Sequence, residues 1–334
     1  MRKLFLILLS AFAFAAAPKI LPAAERSLRV SFSAPATVYL PLWAAADAGF
    51  FKKQGLDVEI VHVGSSPIAV SALITTDETQ VLSGGGTVAP TAYLQGERGL
   101  QIFARMNNRF VFSLFSHPSI TTLEGLKGKK LGITRFGGSL DFATRYFLRQ
   151  QGIDARKDLN LIQLGRVPDI ATALVAGSVE AGTVSFPHHL ILKKLGYREL
   201  ADLSQMDTPY ATTAFVGRRR FLAENEPQME RFVKALIESI HYLRSHRTEA
   251  LKIISRYTRL SDMELLGQDF DFHMQKIWPR VPQIQPEDLK LALEELGERN
   301  PKAREISPAD LIYGQIVKNV IASGFADKLY KQSP

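Results

Sequence analysis

Short apolar runs recur along the first third of the chain, each followed by a longer segment with helical periodicity. This pattern predicts strands that alternate with helices. The predicted strands are Leu28–Phe32, Asp57–Val61, Val81–Leu82 and Gln101–Arg105, and the helices are Pro41–Gln54, one opened by Ser65-Ser66-Pro67, and Ala89–Gln95. Such alternation is typical of βαβ units, in which helices cover a parallel sheet.

The same alternation starts again after residue 113 and then gives way to helical periodicity. Predicted strands cover Lys129–Thr134, Leu159–Leu164 and Gly182–Ser185, with helices opened by Ser139, Pro168 and Phe186-Pro187. The segments Pro227–Ser245, Arg247–Tyr257, Pro286–Gly297 and Pro308–Ser323 are predicted to be helical. We therefore expect two α/β units followed by a largely helical C-terminal region.

The composition limits the chemistry that the chain can perform. It has 334 residues, of which 46% are hydrophobic and 22% charged, so it is long enough for two packed units and too apolar for disorder. It contains no cysteine, which excludes thiol catalysis, cysteine-ligated zinc and disulfides. A cysteine-free chain is compatible with export to an oxidising compartment.

The N-terminus has the three-part pattern of a secretory signal peptide. Arg2 and Lys3 precede the apolar run Leu4–Ala17, and small residues follow up to Ala24. We expect residues 1–24 to be removed and the mature protein to be periplasmic; an uncleaved membrane anchor is the alternative. Removal takes three basic residues from a formal net charge of +8. The densest basic run, Arg218–Arg220, has no interleaved aromatic residues, so no nucleic-acid partner is expected.

Four segments in order along the chain resemble the nitrate/sulfonate/taurine-type periplasmic solute-binding proteins of ABC transporters. They are Ala46–Glu59, Leu123–Ile133, Ala173–Ala181 and Phe221–Pro227. The resemblance implies the α/β, two-lobed type II periplasmic binding protein fold, in which each lobe is a mainly parallel sheet flanked by helices. Lobe 1 would comprise residues 25–112 and 215–334, and lobe 2 residues 113–214. Two hinge crossovers would lie near Phe110–Ser116 and Tyr210–Val216.

Several polar or glycine-rich loops fall at predicted strand-to-helix junctions. In α/β sheets, ligands collect beyond the carboxyl ends of strands, where glycine permits close approach and helix N-termini favour anions. We therefore expect a solute site in these loops. Its predicted residues are Thr37, Tyr39, Ser65, Ser66, Ser83, Gly85, Gly86, Thr87, Arg135, Phe136, Gly138, Ser139 and Ser185.

Other candidates are assigned to structural roles. Trp43 fits a core position, and Arg105 fits a salt bridge better than a ligand contact. His188 and His189 are adjacent on a predicted helix and so point about 100° apart, which does not suit a shared metal ion. We predict no metal, cofactor or catalytic residue.

The expected function is solute capture by hinge closure, followed by delivery to an inner-membrane permease, by a monomer that is not an enzyme. The solute is expected to be small and anionic or aromatic. A thiamine-pyrimidine-synthase-like enzyme and a periplasmic ligand-sensing subunit are the alternatives. The glycine loop also predicts that Gly86→Asp removes binding while leaving the protein folded.

Overall fold

The computed structural model describes residues 27–63, 66–75 and 78–331. Within them, ten strands form two five-stranded sheets. The strands are β1 (Leu28–Phe32), β2 (Val58–His62), β3 (Val81–Gly84), β4 (Leu100–Asn107), β5 (Phe112–Ser116), β6 (Lys130–Ile133), β7 (Asn160–Gln163), β8 (Ala181–Ser185), β9 (Arg198–Asp202) and β10 (Thr213–Arg218). The predicted signal peptide and Ser65 lie outside the described residues.

Helices surround both sheets and form most of the C-terminal region. They are α1 (Leu40–Asp47), α2 (Phe50–Lys53), α3 (Ser66–Thr75), α4 (Val88–Leu94), α5 (Ser139–Gln150), α6 (Val167–Val175), α7 (His188–Lys194), α8 (Arg219–Glu224), α9 (Glu226–Leu243), α10 (Arg247–Thr258), α11 (Met263–Lys276), α12 (Glu287–Gly297), α13 (Gln315–Ala322) and α14 (Phe325–Lys331). No helix in the described ranges is long and apolar enough to cross a membrane.

The two sheets share one topology. Sheet A has the order β2-β1-β3-β10-β4, and sheet B has the order β7-β6-β8-β5-β9. In sheet A, β10 is antiparallel to both of its neighbours, and in sheet B the same is true of β5. The remaining strands of each sheet therefore run in one direction, and their carboxyl ends gather at one edge. This confirms the α/β class with two mainly parallel sheets.

The chain passes between the sheets twice, and the two crossings are bonded to each other. It leaves sheet A after Asn107 and returns to it at Thr213. The Asn107 side chain accepts from the Thr213 amide at 2.9 Å, and Tyr210 N donates to the Asn108 carbonyl at 2.9 Å. The first strand after each crossing, β5 and then β10, is the antiparallel strand of its sheet. The predicted lobe boundaries fall near these crossings and stay predictions.

Some helices differ from the sequence prediction. The predicted helix Pro41–Gln54 is divided at Gly49, which has a positive φ of 77° and separates α1 from α2. The predicted helix Pro308–Ser323 is a 3-10 turn, Pro308–Leu311, followed by α13. Strands β5 and β9 and helix α11 were not predicted, and β5 occupies most of the segment Phe110–Ser116 that was predicted as a hinge crossover.

Trp43 lies in the core, as its apolar surroundings on α1 predicted. Its side chain is fully buried, and its ring stacks on Tyr257 with centroids 4.5 Å apart. Burial of aromatic faces of this size contributes strongly to core stability. The stack joins α1 to α10 in the C-terminal region.

Candidate functional site

The glycine loop after β3 is buried and fastened to the second crossing. Gly86 N donates to the Ala211 carbonyl at 2.7 Å, and Ala211 N donates to the Asp288 carbonyl at 3.0 Å. A Cβ on Gly86 would lie 2.7 Å from the Ala211 oxygen, closer than real Cβ atoms come. Glycine is therefore required here by the packing of the chain on itself.

The neighbouring glycine meets the other sheet's helical layer. A Cβ on Gly85 would overlap the hydroxyl oxygen of Ser139, the first residue of α5, and would lie 3.4 Å from the Ser139 Cβ. Since Gly85 follows sheet A and Ser139 follows sheet B, this contact spans the two sheets. Two loops that the sequence assigned to one site are thus in direct contact.

Buried hydroxyl groups surround this contact without full hydrogen bonding. The Ser83 Oγ and the Tyr210 hydroxyl have no hydrogen-bond partner among the described residues, and both side chains are fully buried. Burial raises the pKa of Tyr210 strongly, and the nearby hydroxyls of Ser139 and Thr87 lower it by a smaller amount. Neither hydroxyl has ordinary hydrogen-bond geometry to the Tyr210 oxygen. Unmet buried donors are costly, so these groups are suited to a polar ligand.

The loop after β1 places its two predicted ligand hydroxyls in different surroundings. Thr37 is buried and donates to the carboxylate of Asp269 on α11. The Tyr39 hydroxyl lies 3.1 Å from the Ser33 Oγ, and burial raises the pKa of Tyr39. Both hydroxyls therefore already have protein partners, unlike Ser83 and Tyr210.

Asp269 is the centre of a buried polar cluster that the sequence did not predict. Its Oδ1 lies 2.8 Å from His273 Nδ1, but that nitrogen makes its well-formed hydrogen bond to the Asp269 carbonyl at 2.9 Å. The carboxylate is fully buried, and its Oδ1 has no hydrogen-bond partner among the described residues. No sequence pattern indicates this cluster, because α11 is not recognised from the sequence and the Thr37 contact spans 232 positions.

Aromatic rings from the turn after β8 and from α7 pack against this cluster. Phe186 stacks on Phe272 of α11 with centroids 4.5 Å apart, and His189 meets the Phe186 ring edge-on at 3.6 Å. Burial is the main cause that lowers the pKa of His189 to about 4, and it also lowers that of His188. The two histidines therefore carry no charge near neutral pH.

The remaining predicted residues from sheet B reach different depths. Arg135 is exposed and Phe136 is 52% exposed, so both lie at the outer edge rather than with the buried hydroxyls. Gly138 is the extended residue that precedes α5. Ser185 ends β8 and donates weakly to the Phe186 carbonyl at 3.4 Å. Ser66 is the first residue of α3.

One further candidate, Arg105, has a structural partner. Arg105 Nε donates to Asp288 Oδ2 at 2.8 Å, as a salt bridge requires. Across the ranges 27–63, 66–75 and 78–331, no three His, Cys, Asp or Glu side chains gather closely enough to hold a metal ion.

Comparison with known proteins finds relatives over most of the chain. It is 27% identical over 224 residues to the putative binding protein YtlA from Bacillus subtilis, which covers 64% of this chain and 66% of YtlA. It is 23% identical over 237 residues to the 4-amino-5-hydroxymethyl-2-methylpyrimidine phosphate synthase THI13 from Saccharomyces cerevisiae, which covers 65% of this chain and 67% of THI13. The chain thus spans about two thirds of the length of either relative.

Solved structures match more of the chain at lower identity. The alkanesulfonate-binding protein SsuA from Xanthomonas axonopodis, bound to MOPS, is 16% identical with a TM-score of 0.72, covering 87% of this chain and 99% of SsuA. The periplasmic nitrate-binding protein NrtA from Synechocystis is 16% identical with a TM-score of 0.71, covering 92% and 91%. These likenesses confirm the two-lobed periplasmic binding protein fold. The family model described as NMT1/THI5 like matches residues 36–250, so the chain belongs to the NMT1/THI5-like family.

Proposed function

We propose that the protein is the extracytoplasmic solute-binding component of an ABC importer, which captures a small solute between its two lobes. The observation that carries the proposal is the contact of Gly85 with Ser139 beside the unpartnered hydroxyls of Ser83 and Tyr210. Loops from both sheets meet there, and the groups beside the contact lack hydrogen bonds. A ligand that forms hydrogen bonds to both lobes binds the closed state more tightly than the open state, so it shifts the equilibrium towards the closed state.

The relatives support a binding role. SsuA and NrtA are named as sulfonate- and nitrate-binding proteins, and YtlA as a putative binding protein. By analogy we propose that residues 1–24 act as a signal peptide and that the mature protein is periplasmic. We also propose that it acts as a monomer and docks on a membrane permease. Within this proposal, the ligand contacts are Ser83, Gly85, Thr87, Ser139 and the newly recognised Tyr210, with Thr37, Tyr39 and Ser185 nearer the cluster around Asp269.

A thermal-shift screen tests the proposal directly. Sulfonates, nitrate, aromatic carboxylates and pyrimidines would be added separately to the mature protein. A solute at a hundred times its Kd adds about 2.7 kcal/mol of stability, which raises the Tm of a protein of this size by roughly 4 °C, given an unfolding entropy of about 2.1 cal/mol/K per residue. A solute found in this way should lose affinity in Tyr210→Phe. If no solute from these classes shifts the Tm, the proposal is contradicted.

The likeness to THI13 supports a synthase as the second candidate. The two candidates differ in what happens to the bound molecule. A binding protein releases its solute unchanged after dialysis and mild denaturation, whereas a synthase converts it. Mass spectrometry of the released solute distinguishes these outcomes.

A further inference from the structure

An open cavity of about 550 Å³ lies between the two halves of the molecule, and its lining does not include Ser83, Ser139 or Tyr210. One wall comes from α5 and its flanking turns, which belong with sheet B. The other wall is the end of α12, whose Leu289 and Leu293 pack in the core of sheet A. The cavity is lined by Phe136, Arg145, Arg156, Glu298 and Arg299.

The positive charge of this cavity exceeds the negative charge around it. Arg145 Nε bonds to the buried Asp141 at 2.5 Å, and Arg299 reaches the same carboxylate only at 3.8 Å. Glu298 is bonded to Arg304 at 2.6 Å. The Arg156 side chain has no ion pair with any described residue, and the nearby Glu295 is already paired with Arg149. The three guanidinium groups that line the cavity therefore face Asp141 together with two carboxylates, Glu295 and Glu298, that are paired with other arginines.

The three guanidinium groups come from both sides of the cavity. Arg145 and Arg156 belong to the sheet B side, whereas Arg299 belongs to the α12 side. Partial burial is the main cause that lowers the pKa of Arg299, and the positive charges of Arg145 and Arg156 lower it further, whereas the carboxylates of Asp141 and Glu295 act in the opposite direction. Bringing the two walls together therefore sets like charges against one another unless an anion lies between them.

Phe136 gives the cavity an apolar wall as well. Its ring is 52% exposed, and the Arg145 guanidinium lies 5.5 Å from the ring centroid. A guanidinium group stacked near an aromatic face is held in place for planar, bidentate bonds to an oxyanion. An apolar group attached to that oxyanion would pack on the remaining face of Phe136.

We propose that Arg145, Arg156 and Arg299 bind an oxyanion in this cavity, and that the bound anion holds the two lobes together. The linking role rests on the proposed function, because it requires lobes that open and close; the binding role does not. Phosphate, sulfate, sulfonate and carboxylate groups share the required chemistry. The anion is either a free inorganic ion or the charged group of an organic solute.

Calorimetry at a constant ionic strength set with sodium chloride tests this site. The probes are inorganic phosphate, sulfate and benzenesulfonate, and the variants are Arg156→Gln and Arg299→Gln. The control is Arg220→Gln, because the Arg220 side chain is 87% exposed and paired with Glu224 on α8. We expect at least one probe to bind the wild type and to bind either cavity variant about tenfold more weakly or worse, with no change in the control.

The probes separate the two sources of the anion. Binding of phosphate or sulfate identifies an inorganic ion, whereas binding of benzenesulfonate alone, weakened by Phe136→Ala, identifies an organic solute. Binding that is equal in wild type, Arg156→Gln and Arg299→Gln overturns the proposal, as does a wild type that binds no probe. Ser83→Ala removes a hydroxyl of the proposed solute site and leaves the cavity residues unchanged. It should therefore weaken only binding that Arg156→Gln and Arg299→Gln do not affect, so failure of either site is seen separately.

Discussion

A methyl group on Gly85 would overlap the hydroxyl of Ser139, although the two residues follow strands of different sheets. The overlapped atom is the end of a small side chain, and the Cβ-to-Cβ separation would be an ordinary 3.4 Å. The overlap therefore involves only the Ser139 hydroxyl oxygen, and replacing Ser139 by alanine should make room for the methyl group.

We expect Gly85→Ala to weaken binding of the solute found by screening about tenfold, because the closed contact must open slightly to admit the methyl group. Adding Ser139→Ala should restore part of this loss, while Ser139→Ala alone loses the affinity due to its hydroxyl. Calorimetry on the four proteins of this double-mutant cycle measures the coupling. Additive effects would show that the two residues do not meet in the bound state.

Ser83→Ala should leave stability unchanged or raise it slightly, because its buried hydroxyl has no partner among the described residues. The same change should weaken solute binding. The matched control is Ser239→Ala, since Ser239 is equally buried but donates to the Pro41 carbonyl at 2.6 Å. That control should lose about 1–3 kcal/mol in urea unfolding and keep its solute affinity. A stability loss in Ser83→Ala would contradict the assignment.

The sequence predicted the sheets well and the site only in part. Alternating patterns located β1–β4 and β6–β8 but not β5 or β9, and glycine and serine at strand ends marked the loops that meet at Gly85 and Ser139. Tyr210 and Asp269 were not recognised, because each acquires its role from contacts far along the chain. Arg135 and Phe136 were grouped with the buried loops because sequence does not reveal depth.

Lowering the pH should destabilise the protein partly through His189. Its folded pKa of about 4 lies below the ordinary value of 6.5, so the unfolded chain binds the proton first as pH falls. This contribution is absent above pH 6.5 and grows to at most about 3 kcal/mol of lost stability as pH approaches 4.

The variant His189→Gln isolates this contribution. Urea unfolding between pH 7.5 and 4 should show a shallower pH dependence in the variant than in the wild type. His246→Gln, at an exposed position, is the control and should keep the wild-type slope. Identical slopes in all three proteins would show that His189 is not buried as described.

The structure changes the expectation for Gly86→Asp. The sequence alone suggested lost binding in a folded protein, but the new Cβ would lie 2.7 Å from the Ala211 oxygen and 3.0 Å from the Ala211 Cβ. Because that backbone is itself bonded to the Asp288 carbonyl, it has little freedom to move away. We now expect a loss of at least about 1–3 kcal/mol, seen as a lower urea midpoint. A variant with wild-type stability would restore the original expectation.

Small-angle X-ray scattering with and without the screened solute tests the central claim of closure around a ligand. The structure has the sheets in contact at Gly85 and Ser139 and through the Lys194–Asp262 ion pair at 3.3 Å. We predict a smaller radius of gyration when the solute saturates the protein, and a value close to that of this structure. An unchanged radius of gyration at full saturation would contradict the account.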